Sequence, residues 1–174
     1  MTKDAGNPFW DFSLSVYALD GVSEACLRLQ DQHGVDVNLL LYCCWVAQDA
    51  CLTLAEADMA KVIGRVSEWK AHVVIPLRAA RRALKGETDG IGPAAREALR
   101  DQVKQAELEA ERLQQDALFD ALKLPAVEPD RVADRRVQAL ANLECYFRAQ
   151  PIDTDARTSK DIAIILDAVF SNGS

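Results

Sequence analysis

The segment 37–47 constrains the fold more than any other part of this chain. Its eleven residues are apolar at every position except Asn38. A helix that is apolar on all sides must be covered on all sides by other elements. The rest of the sequence shows no alternating pattern typical of strands, so the cover must be helical. The 174 residues fit one domain. The sequence therefore predicts an all-α fold, a single helical domain over 1–174 with this helix at its centre.

Capping residues predict where each helix begins. Asn, Asp, Ser and Thr side chains accept hydrogen bonds from the first N–H groups of a helix, and glycine adopts the left-handed conformation that ends one. The predicted starts are Asn7-Pro8, Val22, Asp36, Thr53 with Glu56, Pro93, Asp130, and Thr158 or Ser159, with Gly34 ending the second helix. These signals predict about seven helices.

Two long helices are predicted to pair as an antiparallel hairpin, over about 54–84 and 93–124, with a protruding glycine-rich tip over 85–93. In the first, apolar residues recur every three or four positions. Pro76 interrupts this stripe and predicts a kink or a break. The predicted inward stripes are Met59, Val62, Val66, Trp69, Val73, Leu77, Ala80 and Leu84 in the first helix, and Leu99, Val103, Ala106, Ala110, Leu113 and Ala117 in the second.

Charge, cysteine usage and hydropathy indicate the compartment. The net charge of −7 and the pI near 4.9 disfavour binding to nucleic acid. Five cysteines, an odd number, lie in apolar helical stretches, and no signal peptide begins the chain, which indicates a reducing environment. The longest apolar run is about half a membrane span. We expect a cytoplasmic protein with no membrane span and no nucleic-acid partner.

No motif for catalysis or for cofactor binding is found. The cysteines form no Cys-x-x-Cys pair, and the adjacent Cys43 and Cys44 point in different directions on a helix, which disfavours one tetrahedral metal site. No Gly-x-Ser-x-Gly, phosphate-binding loop or paired aspartate-rich motif is present. We therefore expect no metal, no cofactor and no catalytic residue, which favours a protein that is not an enzyme but leaves catalysis open.

A basic turn, formed by Arg78, Arg81, Arg82 and Lys85, is the first candidate binding surface. It lies in the only segment with a positive balance, since residues 53–92 hold seven basic and five acidic side chains. Arginine pairs well with carboxylate and phosphate groups, which favours a small anion or an acidic partner. The alternative is pairing with Glu107, Glu109 and Glu111 on the facing helix.

An aromatic cluster near the N-terminus is the second candidate surface. Trp10 and Tyr17 are seven residues apart and share one helix face, whereas Phe9 and Phe12 share another. One face could be buried while Trp10 and Tyr17 meet a ligand or partner. The alternative is that this short helix clamps the domain with both faces.

A pocket inside the bundle is the third candidate. Tyr17, Tyr42 and Trp45 would line it, with Asp36 or Asn38 as polar anchors and the arginines receiving an anionic group. Asn38 is the main clue, because a polar side chain in an apolar helix needs a partner. The first turn of its own helix could also supply that partner.

Four stretches of the chain are familiar: 7–14 (NPFWDFSL), 21–30 (GVxxACLxLQ), 34–45 (GVDVNLLLYCCW) and 69–85 (WxxxVxxPLRxxRRxLK). Together they resemble a proteobacterial family of small helical cytoplasmic proteins of unknown function. The resemblance covers about the first 85 residues. It implies a bacterial helical protein and carries over no reaction, cofactor or catalytic residue.

Two hypotheses about function remain open. The first is a non-enzymatic interaction or regulatory protein with a protein partner or with self-association. The second is a protein that binds a small molecule, anionic ligands included, in a pocket inside the bundle, with or without catalysis.

Overall fold

The computed structural model describes residues 6–86, 90–125 and 134–170, and these ranges are all-α with no strand. The elements are α1 (Pro8–Tyr17), α2 (Val22–His33), α3 (Val37–Ala50), α4 (Glu56–Trp69), a π-helical turn (Lys70–Val74), α5 (Ile75–Ala83), α6 (Pro93–Phe119), α7 (Arg135–Ala149) and α8 (Ala156–Phe170). Since α4, the π turn and α5 are continuous, the described chain forms seven helical segments. The predicted fold class is confirmed.

Helix α3 lies at the centre of the core, as its composition predicts. All nine residues of the stretch 39–47 are buried. Helix α7 packs along α3 more extensively than any other pair of helices packs, and α1, α2 and α6 also contact α3. Four aromatic rings close the core on one side, with centroids 5.4 to 5.7 Å apart; they belong to Phe9, Tyr42, Trp45 and Phe119.

Three predicted caps are confirmed. Asn7 accepts a hydrogen bond from the N–H of Phe9, and Asp36 accepts from the N–H groups of Asn38 and Leu39. Gly34 ends α2 with a φ of 68°, in the left-handed region where a glycine avoids the strain of a β-carbon.

Other predicted caps are wrong or untested. Helix α4 starts after Ala55 without a side-chain cap, so the capping box of Thr53 and Glu56 does not form. At α8, Asp155 accepts from the N–H groups of residues 157 and 158, which places the cap before Thr158 and Ser159. Asp130 lies outside the described residues, and Asp134 caps α7.

The two long helical segments are shorter than predicted and pack side by side. The first spans 56–83, and α6 ends at Phe119 rather than near residue 124. Three residues of the predicted tip, 87–89, lie outside the described residues. Ahead of Pro76 the helix neither breaks nor remains purely α-helical, because the N–H of Ile75 donates to the carbonyl of Lys70, five residues back.

The π turn shifts which residues face α6. Val74 is buried whereas Val73 is only partly buried, and it is Arg78, not Leu77, that pairs with α6. A π-helical turn holds one residue more than an α-helical hydrogen-bonded turn, so every later position moves on by one. The predicted apolar stripe is therefore wrong beyond Trp69.

Candidate functional site

A cavity of about 200 Å³ opens between α1, α3, the π turn, α5 and α6. Its apolar wall is formed by Trp10, Leu14, Leu41, Val74 and Leu108. Polar side chains from α1, α2, α3 and its cap, the π turn, α5 and α6 form most of the rest. A concave site with an apolar body and a few converging polar groups is the usual form of a small-molecule site.

Helix α1 presents one face to this cavity. Its lining residues are Trp10, Ser13, Leu14 and Tyr17, and the spacing of three, four and seven places them on one side of a helix. Asn7 fixes the start of α1 against α6, because its Nδ2 donates to Asp116 Oδ1 at 2.8 Å. The adjacent face, about 100° around the helix, holds Phe9 and Val16, which are buried.

A chain of side-chain amides connects α3 with α6 in the cavity wall. Gln114 Nε2 donates to Asp36 Oδ2 at 2.9 Å, and Asn38 Nδ2 donates to Gln114 Oε1 at 3.1 Å. Gln115 Nε2 in turn donates to Asn38 Oδ1 at 2.8 Å. We call these four residues the amide relay. The relay supplies the partner that Asn38 requires, and that partner lies on another helix.

Ion pairs occupy the other polar wall. Lys70 Nζ lies 3.3 Å from Asp36 Oδ2, and Arg78 bridges Glu107 at 3.1 Å and Glu111 at 2.6 Å. Burial raises the pKa of Glu111, with Glu107 and Asp36 adding to the effect and Arg78 opposing it. Burial also acts to raise the pKa of Glu107, but hydrogen bonds from Arg81 and Arg78 outweigh it and lower that pKa.

Two buried polar atoms in residues that line the cavity have no hydrogen-bond partner among the described residues. They are the hydroxyl oxygen of Ser13 and Oε1 of Gln115. The two residues are only 4% and 3% exposed. A buried polar group without a partner costs about 1–3 kcal/mol, so each such atom requires an explanation.

Residues 8–118 match the model of a family described as "Protein of unknown function (DUF2390)". The chain belongs to this family. No curated protein and no solved structure matches it. Every residue that lines the cavity, from Trp10 to Gln115, lies inside the matched range, whereas α7 and α8 lie beyond it.

In this member of the family, the cavity gathers half of the ten candidate residues. Trp10, Tyr17, Asp36, Asn38 and Arg78 all line it. Trp10 and Tyr17 share the face of α1 that lines the cavity, and their role in binding stays a prediction.

Tyr42 and Trp45 do not line the cavity. Both are buried in the core, where their rings lie 5.7 Å apart and both contact Phe9. Burial holds the pKa of the Tyr42 hydroxyl well above its usual range. Their predicted place in the pocket is wrong because both side chains pack in the core around α3 and do not face the cavity.

The remaining residues of the basic turn also lie away from the cavity. Arg81 pairs with Glu107, Arg82 pairs with Asp31 on α2, and Lys85 is an exposed residue beyond the end of α5. The pairing of Arg78 and Arg81 with carboxylates of α6 is the alternative given above for the basic turn. Glu109 pairs with Arg112 instead.

Sequence reasoning missed five polar residues of the site: Ser13, Gln30, Lys70, Gln114 and Gln115. It named Glu111 only as an ion-pair partner for the basic turn. One signal could have found part of this set. Glu107, Ala110, Gln114 and Leu118 follow the three- and four-residue spacing of a buried helix face, and all four are buried. A search for apolar residues alone misses this spacing, because two of the four residues are polar.

The cysteines do not contribute to the cavity. All five are buried and form no disulfide, and burial raises the pKa of the Cys26 and Cys44 thiols to about 12, so they are not nucleophiles at neutral pH. Within the described ranges, no group of three or more His, Cys, Asp or Glu residues could hold a metal ion. None of the helices described is long and apolar enough to cross a membrane.

Proposed function

We propose that this chain is a bacterial cytoplasmic protein that binds a small molecule in the cavity between α1, α3 and α6. One observation carries the proposal. The hydroxyl of Ser13 and Oε1 of Gln115 are buried without partners in residues that line the cavity. Buried polar groups in proteins nearly always form hydrogen bonds. Each of these two oxygens has less than 1 Å² of exposed surface, so a molecule bound in the cavity would supply the missing bonds once the side chains turn their oxygens toward it.

The cavity fits a compact and largely apolar molecule. Its volume of about 200 Å³ lies below the roughly 300–1,000 Å³ of sites for drug-sized ligands. Trp10, Leu14 and Leu41 would contact the apolar body of the molecule. The polar groups of α3 and α6 would orient it.

Binding is favoured over catalysis by the state of the acidic groups. Both oxygens of Asp36 already accept hydrogen bonds, one from the start of α3 and the other from Gln114. Glu111 is bound by Arg78 at 2.6 Å. A general base needs an oxygen within reach of a substrate proton, and these carboxylates are committed to partners in the protein.

A pair of matched variants tests this proposal. Leu14 and Leu27 are exposed to similar degrees, 51% and 48%, but only Leu14 lines the cavity. We expect Leu14→Trp to fill part of the cavity and to weaken binding at least tenfold, while Leu27→Trp leaves binding unchanged. Ligands would be found by native mass spectrometry of the purified protein and by thermal shift with a library of compounds of about 6–12 non-hydrogen atoms.

Two results would contradict the proposal. One is that no compound in the library stabilises the wild-type protein and that no molecule copurifies with it. The other is that Leu14→Trp and Leu27→Trp bind equally well, which would place the binding site elsewhere.

The hypothesis of a protein partner stays a prediction. Arg78, Arg81 and Arg82 are each bound by a carboxylate of the same chain. An acidic partner would have to compete with these intramolecular pairs. The basic turn therefore gives less support to that hypothesis than the cavity gives to small-molecule binding.

A further inference from the structure

We infer that the cavity selects uncharged molecules that carry a hydrogen-bond donor, an O–H or N–H group, because the amide relay ends on an acceptor. The inference rests on the proposed function, since it concerns the ligand of the same cavity. It depends on the direction of each hydrogen bond in the relay.

The relay begins at a group that can only accept. Asp36 Oδ1 accepts from the N–H groups of Asn38 and Leu39, at 3.0 and 3.3 Å. Its Oδ2 lies 3.3 Å from the ammonium group of Lys70. Each of these hydrogen-bond and ion-pair partners of the Asp36 carboxylate is a donor, and so is Gln114 Nε2.

The direction of the first bond determines that of all the others. Gln114 must turn its NH₂ group toward Asp36, so its carbonyl oxygen faces Asn38. Asn38 must then give its NH₂ group to Gln114 and its oxygen to Gln115. A side-chain amide has one donating and one accepting end, so each orientation imposes the next.

The end of the relay is therefore an acceptor. Gln115 uses its NH₂ group on Asn38, which leaves Oε1 as the atom without a partner. This oxygen has less than 1 Å² of exposed surface, so a ligand reaches it when the Gln115 side chain shifts toward the cavity that it lines. The only group that satisfies a carbonyl oxygen is a donor. The Ser13 hydroxyl rotates and both donates and accepts, so it does not discriminate between ligands.

The charges of the cavity wall argue for an uncharged ligand. Lys70 pairs with Asp36, and Arg78 pairs with Glu111. A charged ligand would have to displace one of these contacts or be buried without a counter-ion, which is costly. The compounds that fit are small alcohols, phenols and N–H heterocycles with an apolar body.

Isosteric pairs of compounds test the inference. Indole and benzofuran differ by an N–H in place of an oxygen, and cyclohexanol and cyclohexanone differ by a hydroxyl in place of a carbonyl. We expect the wild-type protein to bind the donor of each pair about tenfold more tightly, the ratio that about 1.4 kcal/mol for one hydrogen bond gives. Dissociation constants would be measured by calorimetry or by ligand-observed NMR.

Three variants locate the origin of that ratio. Gln115→Met removes the acceptor at similar size, so the ratio should fall to about one. Gln105→Met is the matched control, because Gln105 is exposed on the same helix and should leave the ratio unchanged. Circular dichroism would show that each variant is folded.

Asp36→Asn provides the sharpest test. Asparagine caps a helix about as well as aspartate, so its oxygen should stay on the start of α3 and its NH₂ should face Gln114. Each amide of the relay would then reverse, and Gln115 would present its NH₂ group. We expect cyclohexanone to bind this variant at least as tightly as cyclohexanol does.

The outcomes separate the two proposals. If the wild-type protein binds both members of each pair equally, the inference is wrong and the proposed function stands. The inference is also wrong if Gln115→Met keeps the tenfold ratio, or if none of the four compounds binds. In that last case, the Leu14→Trp experiment decides whether the proposed function fails as well.

Discussion

Three buried polar side chains distinguish α6 from an ordinary amphipathic helix. Glu107, Gln114 and Gln115 are each at most 5% exposed. Each one has a partner on another helix: Glu107 on α5, and the two glutamines on α3 or at its start. Because buried polar groups are stable only when their hydrogen bonds are made, these contacts fix how α6 sits against α3 and α5.

Glu107 and Glu111 are expected to have opposite effects on stability although both pair with Arg78. The pKa of Glu107 is lowered, so its ionised form adds stability above its unfolded pKa of about 4.3, and this is lost as pH falls through the folded pKa. At pH 7, Glu107→Gln should lower the free energy of unfolding by about 2 kcal/mol, since it removes hydrogen bonds between charged groups.

Glu111→Gln should raise the free energy of unfolding at pH 7. The pKa of Glu111 is raised, mainly by burial, so its stabilising contribution is present below the unfolded pKa and is lost as pH rises through the folded pKa. The difference for Glu111→Gln should shrink as pH falls from 7 to about 4, whereas the difference for Glu107→Gln should shrink only below about pH 4. Urea unfolding at several pH values measures this, and a Glu111→Gln protein less stable than wild type at pH 7 would contradict it.

These contacts also show which interactions of single residues can be predicted from the sequence. The caps at Asn7 and Asp36 could be predicted because each side chain bonds to backbone two or three residues away. The partners of Asn38 are 76 and 77 residues away. The sequence could indicate that Asn38 needs a partner, but not which helix supplies it.

At the scale of elements, the π turn accounts for the error in the apolar stripe predicted for the first long segment. The stripe predicted for α6 is also wrong in part, since Leu99 and Leu113 are exposed. The apolar period predicts the inward face correctly through Met59, Val62 and Val66, all of which are buried. Beyond the turn it fails, because α-helical spacing was carried across a segment that holds one more residue. Pro76 indicates that the helix is disturbed at this place. An ordinary kink, however, adds no residue to a turn, so it would not shift the facing of the later residues.

A second feature at the scale of elements is the connection between α3 and α4. One buried side chain of α7 holds this connection in place by hydrogen bonds. Asn142 Oδ1 accepts from the N–H of Leu54 at 2.7 Å, and its Nδ2 donates to the carbonyls of Leu52 and Cys43 at 3.0 and 3.2 Å. Leu52 and Leu54 lie between α3 and α4, where no helix bonds their backbone groups, whereas Cys43 lies within α3. Asn142 therefore replaces the hydrogen bonds that a regular element would provide.

Asn142→Leu should lower the free energy of unfolding by about 2–4 kcal/mol, because it leaves several buried backbone groups without partners. Gln138→Leu is the comparison, since the amide of Gln138 makes a single bond, to the carbonyl of Cys51, in a partly buried place. We expect that variant to lose about 1 kcal/mol. Chemical denaturation measures both, and equal losses would show that the loop does not depend on Asn142.

At the scale of the whole molecule, the family match ends earlier in the chain than the folded core does. The match ends at residue 118, yet α7 packs along α3 and its Tyr146 hydroxyl accepts a hydrogen bond at 2.9 Å from the N–H of Asp36. The cavity thus lies within the matched range, while part of its support comes from outside it. The apolar composition of 37–47 predicts this need for cover, although not which helix provides it.

A chain that ends at residue 125 should not fold. Without α7, the buried side of α3 would face water, and the loss of apolar burial would exceed the few kcal/mol by which domains are stable. Circular dichroism should show a non-cooperative thermal transition for 1–125. Adding residues 126–174 as a separate fragment should restore the cooperative transition, and a cooperative transition of 1–125 alone would contradict the prediction.

In evolutionary terms, the π turn corresponds to a single extra codon in an α-helix. A relative that lacks one residue between 70 and 74 would have an uninterrupted α-helix, yet the counterparts of Lys70 and Arg78 would keep their facing, because the deletion removes only the extra residue of the turn. Leu77 would face α6 instead only if all five residues of the turn were present in α-helical form. Members of the family with and without that codon should therefore both be able to form this cavity.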